Sequence, residues 1–420
     1  MKITVLSTFD VWPAIDGGQT RYCSLWPKFS ERNAITILPY EFRNTAHERR
    51  YRLAPHVEVW LPRASEADAK HFHHMMDVSG LWMQDMLCIA DYTLSTAYLC
   101  ALRSQLADCD VLVASHPYLA AMAFAWAPAR VLTVYEAHNV EYDIKAQYLG
   151  TGRASRDITG PYLRQVEQAE RLAVQQANHV TTVSEADRQR LAAIYDVPAS
   201  KISLVPNGVN AAPAPSLPPI ARQQLRAEMG LAGTMVGIIV ASSHRPNVEA
   251  YRRTRLMLQA AGFTGTILLV GAIASALQPD WPDIGFEERV FGFVSEALKV
   301  TLLECADFAP HFVFDGAGTN LKLFDYMGHG VAIIANGFGV RGTGGDDWYW
   351  PAEDATGLNR ALADIAAHPA QARARAERGR ALARAQFDWA AIAASFEAAM
   401  RQGFPLHTTA AEAEPQAASA

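Results

Sequence analysis

A glycine-rich turn between two apolar runs is the most specific place for chemistry in this sequence. The segment 314–331 is FDGAGTNLKLFDYMGHGV, with the apolar run 311–314 before it and 331–335 at its end. Both runs are short and bounded by turn residues, which predicts two buried parallel strands. Gly316 and Gly318 permit a tight turn in which the backbone can approach a ligand closely.

The residues after the turn predict a helix, 321–327, whose amino end points at the turn. Thr319 or Asn320 can cap this helix, and the free N–H groups of a helix amino end attract phosphate. Lys322 adds a positive charge, and Asp325, one turn later, can accept hydrogen bonds from sugar hydroxyls. The segment therefore predicts a sugar-nucleotide site. The donor-binding residues predicted here are Gly318, Thr319, Asn320, Leu321 and Asp325, with Lys322 in a catalytic role.

A strand, a glycine turn and a helix occur in every doubly wound domain, so this segment alone does not establish a sugar-nucleotide site. The other loops of the chain are the further evidence. After the first predicted strand, Gly17 and Gly18 precede a helical run and place bare N–H groups where phosphate or acceptor could bind. The alternative is an ordinary tight turn. In the second half of the chain, Arg245 could hold a diphosphate with its planar donor fork. The alternative there is a surface arginine beside a helix start.

A further loop, 136–142, carries a histidine, an asparagine and a glutamate after a predicted strand. His138 is predicted to be catalytic, because an imidazole can move a proton or donate to a developing charge near neutral pH. Asn139, Glu141 and His116, which ends the preceding strand, are candidate contacts to the acceptor or the sugar. For both histidines the alternative is a structural role.

The composition limits the classes of function. The chain has 420 residues, enough for two domains, and its net charge is −6 without a basic tract. Nucleic acid is therefore not expected as a partner. Five scattered cysteines with no C-x-x-C pair predict a reduced, cytoplasmic protein. The first residues are predicted to form a strand and not a signal peptide, and no apolar run is long enough to predict a membrane span.

Short apolar runs alternate with helical patterns, which predicts parallel sheets covered by helices on both faces. The predicted strands are 3–7, 34–38, 57–61, 111–115, 131–135, 180–184 and 202–205, then 236–242, 266–270, 290–293, 312–314 and 331–335. We therefore predict an α/β protein with two doubly wound domains that face each other across a ligand-binding cleft. The predicted boundaries are 1–209 for the first domain, 210–219 for an Ala- and Pro-rich linker, 220–386 for the second domain, 387–403 for a closing helix and 404–420 for a disordered tail.

Some stretches could be mistaken for functional sites. The segment 70–106 is rich in Met, Trp, Tyr and Leu. It could cover an acceptor site or touch a membrane that carries a lipid-linked acceptor; the alternative is a set of ordinary core helices. Asp108 and Asp110 have a spacing that can hold a cation, but they precede a strand, at the wrong end of the sheet. The histidines at 71, 73 and 74 have no nearby residue that completes a site. No metal site is therefore predicted.

Several segments resemble one known family. The runs TVSEADR, 182–188, and KISLVPNGV, 201–209, are similar to a paired signature of retaining GT-B glycosyltransferases of family 4, or glycosyl transferases group 1. The run GAGTNLKLFD, 316–325, resembles the donor segment of that family, and the first glycine pair and the FDW at 387–389 also fit. The resemblance covers nearly the whole chain apart from the tail and the acceptor-side region around 60–107.

The resemblance implies a role for each matching residue. His138 matches a histidine beside the transferred sugar, and Arg245 matches a basic residue on the diphosphate. Gly17 and Gly18 match a loop that meets the diphosphate and the acceptor. Asp325 stands where the family has the second glutamate of an E-x7-E pair, which binds the nucleotide ribose.

Two positions depart from the family pattern. Ala317 stands at the first glutamate of the pair and cannot hold a sugar hydroxyl, so that contact would come from backbone or from Asp315. The lysine that normally follows the diphosphate arginine is absent, since PNVE occupies 246–249, and Lys322 could supply the missing charge. These departures leave the choice of sugar open.

The resemblance implies a hexosyltransferase-type enzyme of GT-B architecture. It would move a sugar from a nucleotide diphosphate-sugar to an acceptor hydroxyl with retention of configuration, without a metal or other cofactor. The second domain would bind a UDP- or GDP-linked donor. The first would bind a glycan, a lipid-linked, protein or small-molecule acceptor, in polysaccharide or glycoconjugate biosynthesis. The expected location is the cytoplasm, with peripheral contact at the inner face of the membrane left open.

Two alternatives remain for the activity. One is a GT-B sugar-nucleotide 2-epimerase, which would bind the same donor without needing an acceptor. The other is a nucleotide-sugar-binding protein without activity, which the alanine at position 317 favours.

Overall fold

The computed structural model describes residues 1–82, 84–91, 95–150, 156–210, 217–277, 281–314 and 320–404. The chain divides into two compact units. The first is formed by Met1–Pro206 together with the segment from Ala390 onward, and the second by Asn207–Trp389. Each unit has its own sheet with helices packed on it, as the predicted α/β class requires.

The first unit is organised around an eight-stranded sheet. Its strands are β1 (Lys2–Ser7), β2 (Ala34–Pro39), β3 (Arg49–Ala54), β4 (Val57–Leu61), β5 (Val111–Ala114), β6 (Leu132–Ala137), β7 (His179–Thr182) and β8 (Ile202–Leu204). Their order across the sheet is β3-β4-β2-β1-β5-β6-β7-β8. All strands except β3 run parallel, so that their carboxyl ends lie along one edge of the sheet.

Helices of the first unit pack against this sheet. They are α1 (Gly17–Leu25), α2 (Glu66–Ser79), α3 (Gln84–Asp91), α4 (Thr96–Leu106), α5 (Ala120–Trp126), α6 (Glu141–Leu149), α7 (Arg156–Gln176) and α8 (Glu185–Tyr195), with short 3-10 turns at Trp26–Lys28, Pro117–Leu119 and Ala199–Lys201. From the predicted segment 70–106, Phe72, Met86, Tyr98 and Leu102 are buried in the core. The core-helix alternative is therefore confirmed for these residues.

The strand β3 was absent from the sequence-based prediction. It pairs antiparallel with β4 at the edge of the sheet, and its arginines Arg49, Arg50 and Arg52 are exposed. A charged strand of this kind lacks the apolar run that marks a buried strand. Charged side chains on an edge strand also hinder pairing with other chains, which explains why this sequence is compatible with a sheet edge.

The second unit contains a six-stranded sheet in which all pairs of neighbours are parallel. Its strands are β9 (Val236–Val240), β10 (Thr266–Val270), β11 (Glu287–Gly292), β12 (Phe308–His311), β13 (Ala332–Ala335) and β14 (Trp350–Pro351). The order is β11-β10-β9-β12-β13-β14. The helices are α9 (Pro219–Glu228), α10 (Arg245–Ala260), α11 (Glu296–Cys305), α12 (Leu321–Gly328), α13 (Ala355–Ala367) and α14 (Pro369–Gln386), with a 3-10 turn at Ala272–Ala276. The last helix in the described part of the chain is α15 (Trp389–Gln402), which belongs to the first unit apart from its first residue.

Alternating side chains of the second sheet enter two separate cores. Ile238 and Leu268 belong to one apolar cluster. Their neighbours Ile239, Ile267 and Leu269 belong to a second cluster. Because side chains point alternately to opposite faces of a strand, this division shows that helices cover both faces.

One predicted strand is misplaced. The strand predicted at 312–314 lies instead at Phe308–His311 and includes Pro310. Proline cannot donate to a strand ladder, so its presence argued against a strand at this position. The ladder with β9 is formed at Phe308, and Pro310 is paired with Ile334 of β13.

The predicted linker and tail fall largely outside the described residues. Of the linker, 211–216 is not described, and α9 begins at Pro219. The tail from 405 onward is likewise outside. None of the helices that the structure describes is long and apolar enough to cross a membrane.

Candidate functional site

Two predicted histidines meet at the carboxyl edge of the first sheet. β5 and β6 are parallel neighbours that end at Ala114 and Ala137, and His116 and His138 follow within two residues. The centroids of the two imidazole rings lie 4.6 Å apart with an interplanar angle of 63°. The ring of Tyr22 packs edge-on against His138. The topology of the sheet thus brings together residues that are far apart in sequence.

A buried carboxylate lies beneath His138. Glu136, the penultimate residue of β6, accepts hydrogen bonds from Arg21 Nε at 2.9 Å and from Ser115 Oγ at 2.5 Å. Its Oε2 lies 3.5 Å from Nε2 of His138. The side chains of Glu136 and Arg21 are 1% and 3% exposed, so that this ion pair is shielded from water. The carboxylate therefore faces a cation on one side and an imidazole on the other.

Arg21 joins three parts of the first unit. Besides Glu136, its guanidinium donates to the carbonyl oxygens of Val205, at 2.9 Å, and Pro206, at 3.0 Å, which follow β8. Neither Arg21 nor Glu136 was predicted from the sequence as a site residue. The available signals were an arginine in the helix after the glycine pair and a glutamate two residues before His138.

The charges of this cluster are set by burial and by its partners. Burial alone would raise the pKa of Glu136, but the charge of Arg21 and the neighbouring His138 hold it well below its usual value. Burial, together with the nearby His138 and Lys145, lowers the pKa of His116 well below its ordinary value. At neutral pH the cluster thus contains an ionised carboxylate beside His138 and a neutral imidazole at His116. A carboxylate next to an imidazole can stabilise the imidazolium that forms when a proton is taken up.

The backbone of His116 adopts an unusual conformation. Its φ is 130° and its ψ is 154°, in a region that non-glycine residues rarely occupy. Its Nδ1 is buried and has no hydrogen-bond partner among the described residues. Strain and an orphaned polar atom at one residue are typical of functional sites, which supports the predicted ligand contact.

The neighbouring polar residues differ in accessibility. Glu141 is 2% exposed and is hydrogen-bonded by the hydroxyl of Tyr118. Burial raises the pKa of Glu141, although Lys145 opposes this. Glu141, predicted as an acceptor contact, therefore has an internal partner, whereas Asn139 is partly exposed and is the accessible polar residue of this loop.

The first glycine pair lies inside a helix and not in a loop before it. α1 begins at Gly17, and its cap is Asp16, which accepts a hydrogen bond from Gln19 N at 2.9 Å. A Cβ atom on Gly18 would lie 3.1 Å from the ring of Phe9. The glycines therefore form the first turn of α1, where helical N–H groups lack intrahelical acceptors and can bind an anion.

In the second unit, two helices begin at the carboxyl ends of adjacent strands. α10 follows β9 and starts at Arg245, and α12 follows β12 and starts at Leu321. Nζ of Lys322 donates to Oδ1 of Asn247, in the first turn of α10. The Asn247 amide in turn donates to Ser242 Oγ at 2.8 Å. The sheet thus brings Lys322 next to Asn247, which lies in the segment 246–249 where the sequence resemblance led us to expect a lysine.

Among the described residues, Lys322 is a cation without a matching anion. No carboxylate lies within ion-pair distance of it in the part of the chain that the structure describes, and its side-chain partner there is the neutral Asn247. Burial lowers the pKa of Lys322 to about 8. The guanidinium of Arg245, at the first position of α10, is exposed. A desolvated ammonium beside a helix amino end gains most from a bound anion, so this arrangement favours a phosphate ligand.

The carboxylate of Asp325 is paired inside the second unit. It lies 3.4 Å from Nζ of Lys299, which also contacts Glu296 at 3.0 Å. Burial raises the pKa of Asp325, and the positive charge of Lys299 opposes this. The Asp325 side chain is 31% exposed, so that it remains accessible to a hydroxyl group.

His311, at the end of β12, was not selected from the sequence. It is buried, and its Nε2 has no hydrogen-bond partner among the described residues. Burial and the charge of Lys322 lower the pKa of His311 to about 3. It is therefore neutral at physiological pH. Because the strand was predicted at 312–314 and lies at Phe308–His311, the sequence did not indicate that His311 ends it.

The glycine turn itself lies outside the described residues, which include neither Asp315, Ala317, Gly318 nor Thr319. Asn320 occupies the cap position of α12, and its side chain makes no capping hydrogen bond. Leu321 is the first helical residue, as predicted. Within the described ranges, no three His, Cys, Asp or Glu side chains are grouped so as to hold a metal ion.

Comparison with models of protein families gives two matches. Residues 52–212 match Glycosyltransferase Family 4, and residues 252–398 match a family described as Glycosyl transferase-like. Glycosyltransferase models thus match two separate segments of the chain. A comparison with curated proteins finds no match.

Solved structures with the same architecture show the fold. Sucrose-phosphate synthase from Thermosynechococcus elongatus superposes with a TM-score of 0.67 at 15% identity, over 96% of this chain and 98% of that chain. HepE from Anabaena, in complex with UDP, has a TM-score of 0.64 at 14% identity, over 96% and 100%. A UDP-forming trehalose-phosphate synthase from Burkholderia xenovorans has a TM-score of 0.62 at 11% identity, over 95% and 98%. The chain therefore has the predicted GT-B fold.

Replacing Asp325 by asparagine is expected to weaken binding of a nucleotide diphosphate. A hydrogen bond to a charged group contributes about 1.5–3 kcal/mol, so the dissociation constant should rise about tenfold or more. Glu296→Gln is the matched control, because Glu296 shares Lys299 with Asp325 but is 75% exposed. Calorimetric titration of both variants measures the effect. Equal affinity for the wild type and Asp325→Asn would remove Asp325 from the nucleotide site.

Proposed function

We propose that this protein is a retaining glycosyltransferase that moves a sugar from a nucleotide diphosphate-sugar to an acceptor hydroxyl. The observation that carries the proposal is the desolvated cation Lys322, held by Asn247 without a carboxylate partner among the described residues. A diphosphate would supply an anion for this cation. Asp325, one turn along the same helix, would accept a hydrogen bond from a ribose hydroxyl.

In the proposed reaction, the bond between the anomeric carbon and the diphosphate oxygen breaks. A bond to the acceptor oxygen forms, and the proton of the acceptor hydroxyl passes to the leaving diphosphate oxygen. Negative charge develops on the leaving diphosphate, where Lys322, Arg245 and the amino end of α12 would stabilise it. His138, which lies beside the ionised Glu136, would move a proton or donate to a developing charge on the sugar as it is transferred. Retention of configuration rests on the sequence resemblance alone.

The substrates follow from the same proposal. A UDP-linked donor is the first choice, because the similar HepE structure contains UDP, and a GDP-linked donor is the second. We propose that these cationic groups stabilise the diphosphate without a metal or other cofactor. Turnover should therefore continue in the presence of a chelator. The acceptor would be a glycan, a lipid-linked molecule, a protein or a small molecule. We also propose cytoplasmic action, with a lipid-linked acceptor requiring contact with the inner face of a membrane.

Thermal unfolding with a panel of nucleotides tests the donor class. The panel is UDP, GDP, ADP, CMP and NAD, with sugar conjugates where they exist. A ligand at 100 times its dissociation constant adds about 2.7 kcal/mol to the free energy of unfolding. We expect a shift with one nucleoside diphosphate and its sugar conjugate. A shift with NAD alone, or with no member of the panel, would contradict the proposal.

Product analysis separates transfer from the alternatives. With the donor identified, incubation with acceptor should give a glycoside of the same anomeric configuration, which proton NMR coupling constants report. Free epimerised sugar without acceptor would instead identify a 2-epimerase. Binding without any turnover would identify a protein that only holds the nucleotide sugar.

A further inference from the structure

A second buried carboxylate of the first unit, that of Glu170 on α7, makes an unusual set of contacts. Glu170 is 0% exposed. Its Oε1 accepts from Glu141 N at 2.8 Å and Tyr135 OH at 3.0 Å. Its Oε2 accepts from Tyr142 N at 2.9 Å and Tyr195 OH at 2.7 Å. Each oxygen thus receives one backbone N–H and one phenol hydroxyl.

The two backbone donors are the first two N–H groups of α6. These groups have no acceptor within the helix, and a side chain at the cap position normally satisfies one such group. The cap residue here is Val140, whose side chain cannot accept a hydrogen bond, and no side-chain capping bond is present. Glu170, almost thirty residues away in sequence, replaces the missing cap from outside the helix.

The position of α6 matters because of what precedes it. His138 lies at the end of β6, and Val140 is followed directly by the clamped residue Glu141. Tyr135, another donor to Glu170, belongs to β6 itself. The segment 138–140 is therefore held on both sides by one carboxylate: through Tyr135 before it and through Glu141 and Tyr142 after it.

We propose that Glu170 is a positioning residue that holds the amino end of α6 and, through it, the segment that carries His138. Its effect on catalysis rests on the proposed function, whereas the clamp itself does not. Burying a carboxylate costs free energy, which the amide and hydroxyl donors offset here, although burial still raises the pKa of Glu170 to about 7. The clamp thus links the order of the His138 segment to the packing of α7.

Glutamine at position 170 tests the clamp, because an amide has one accepting oxygen and its nitrogen is a donor. One of the two N–H groups of α6 must then face a donor, whereas the tyrosine hydroxyls can rotate to accept. In the full-length chain at pH 8, above the pKa of Glu170, we expect the amide hydrogen of Glu141 or that of Tyr142 to exchange about tenfold faster, or more, in Glu170→Gln than in the wild type. The ring signals of His138 in NMR spectra should shift, with nucleotide affinity unchanged.

Tyr195→Phe is the matched control, since it removes one hydrogen bond to the same carboxylate and leaves both amide bonds in place. It should lower the thermal stability without changing amide exchange in α6 or the ring signals of His138. If Glu170→Gln lowers only the stability, with exchange and ring signals unchanged, Glu170 has a structural role alone. If Glu170→Gln does not fold, exchange in the wild type decides: unprotected Glu141 and Tyr142 amides would overturn the clamp.

Turnover separates this inference from the proposed function. Where the wild type transfers sugar, Glu170→Gln should lower kcat and leave the KM for the donor unchanged. If the wild type transfers no sugar from any donor, the proposed function fails, and amide exchange still decides whether the clamp exists.

Discussion

Replacing His138 by alanine should lower kcat by about 10²- to 10⁴-fold, the usual contribution of a positioned acid or base. His138 has Glu136 at 3.5 Å and packs against His116, and it lies in the first unit. Lys322 and Asp325, the proposed nucleotide contacts, lie in the second unit. The dissociation constant for the nucleotide should therefore stay near the wild-type value. Steady-state kinetics and calorimetric titration measure the two quantities separately.

His179→Ala is the control for loss of a buried ring. His179 is 4% exposed, against 8% for His138, and its Nε2 contacts Ser203 Oγ at 2.8 Å. His179 is the first residue of β7, whereas His138 follows the last residue of the parallel neighbour β6. The two histidines therefore lie at opposite ends of these strands. This variant should be less stable but should keep its kcat at a temperature where it is folded. An unchanged kcat in His138→Ala would exclude His138 from the reaction.

The parts of the site that were predictable from sequence depend on one rule of sheet geometry. Parallel strands end at one edge, so His116 and His138 could be placed together from the strand assignment alone. The helix 321–327 was also predictable, because its start is marked by a glycine turn and its length by apolar residues; the observed helix is Leu321–Gly328. Local patterns were therefore sufficient for the strand ends and for the helices that follow them.

Contacts between distant side chains were not predictable in this way. Arg21 and Glu136 are separated by 115 residues, and Lys322 and Asn247 by 75. No local pattern records which cation meets which acceptor across a sheet. Glu170 belongs to the same class, because its partners are two backbone N–H groups of another helix and the hydroxyls of Tyr135 and Tyr195, and no local pattern records them. Such pairings follow from the packed fold and not from periodicity.

Replacing Lys322 by methionine should lower kcat/KM by about 10²- to 10³-fold, the effect of removing one preorganised charge at a developing anion. Methionine has a similar length but no charge, so packing changes little. Lys201→Met is the matched control: burial also lowers the pKa of Lys201, and its Nζ donates to a backbone carbonyl, that of Gln175, at 2.8 Å. Only the variant at position 322 should lose affinity for a nucleoside diphosphate, and its affinity for the nucleoside should be unaffected.

The pH dependence of binding gives a second and independent measure of the same residue. Burial places the pKa of Lys322 at about 8 in the free protein, and a bound diphosphate would raise it. Above pH 8 the ligand must therefore bring a proton onto Lys322, and the affinity should fall by up to about tenfold for each further pH unit. Below pH 8 the lysine is already charged, and the affinity should be constant.

Calorimetric titration in buffers of different ionisation enthalpy measures this proton uptake directly. At pH 8.5 the wild type should take up most of one proton more than Lys322→Met, which should bind more weakly at every pH. The phosphates of the ligand are ionised at this pH, and any proton taken up by its base would be taken up with both proteins, so the difference between them reports Lys322. A wild-type affinity that stays constant from pH 7.5 to 9.5 would mean that Lys322 does not contact the diphosphate. Lys322 would then have a structural role within the second unit.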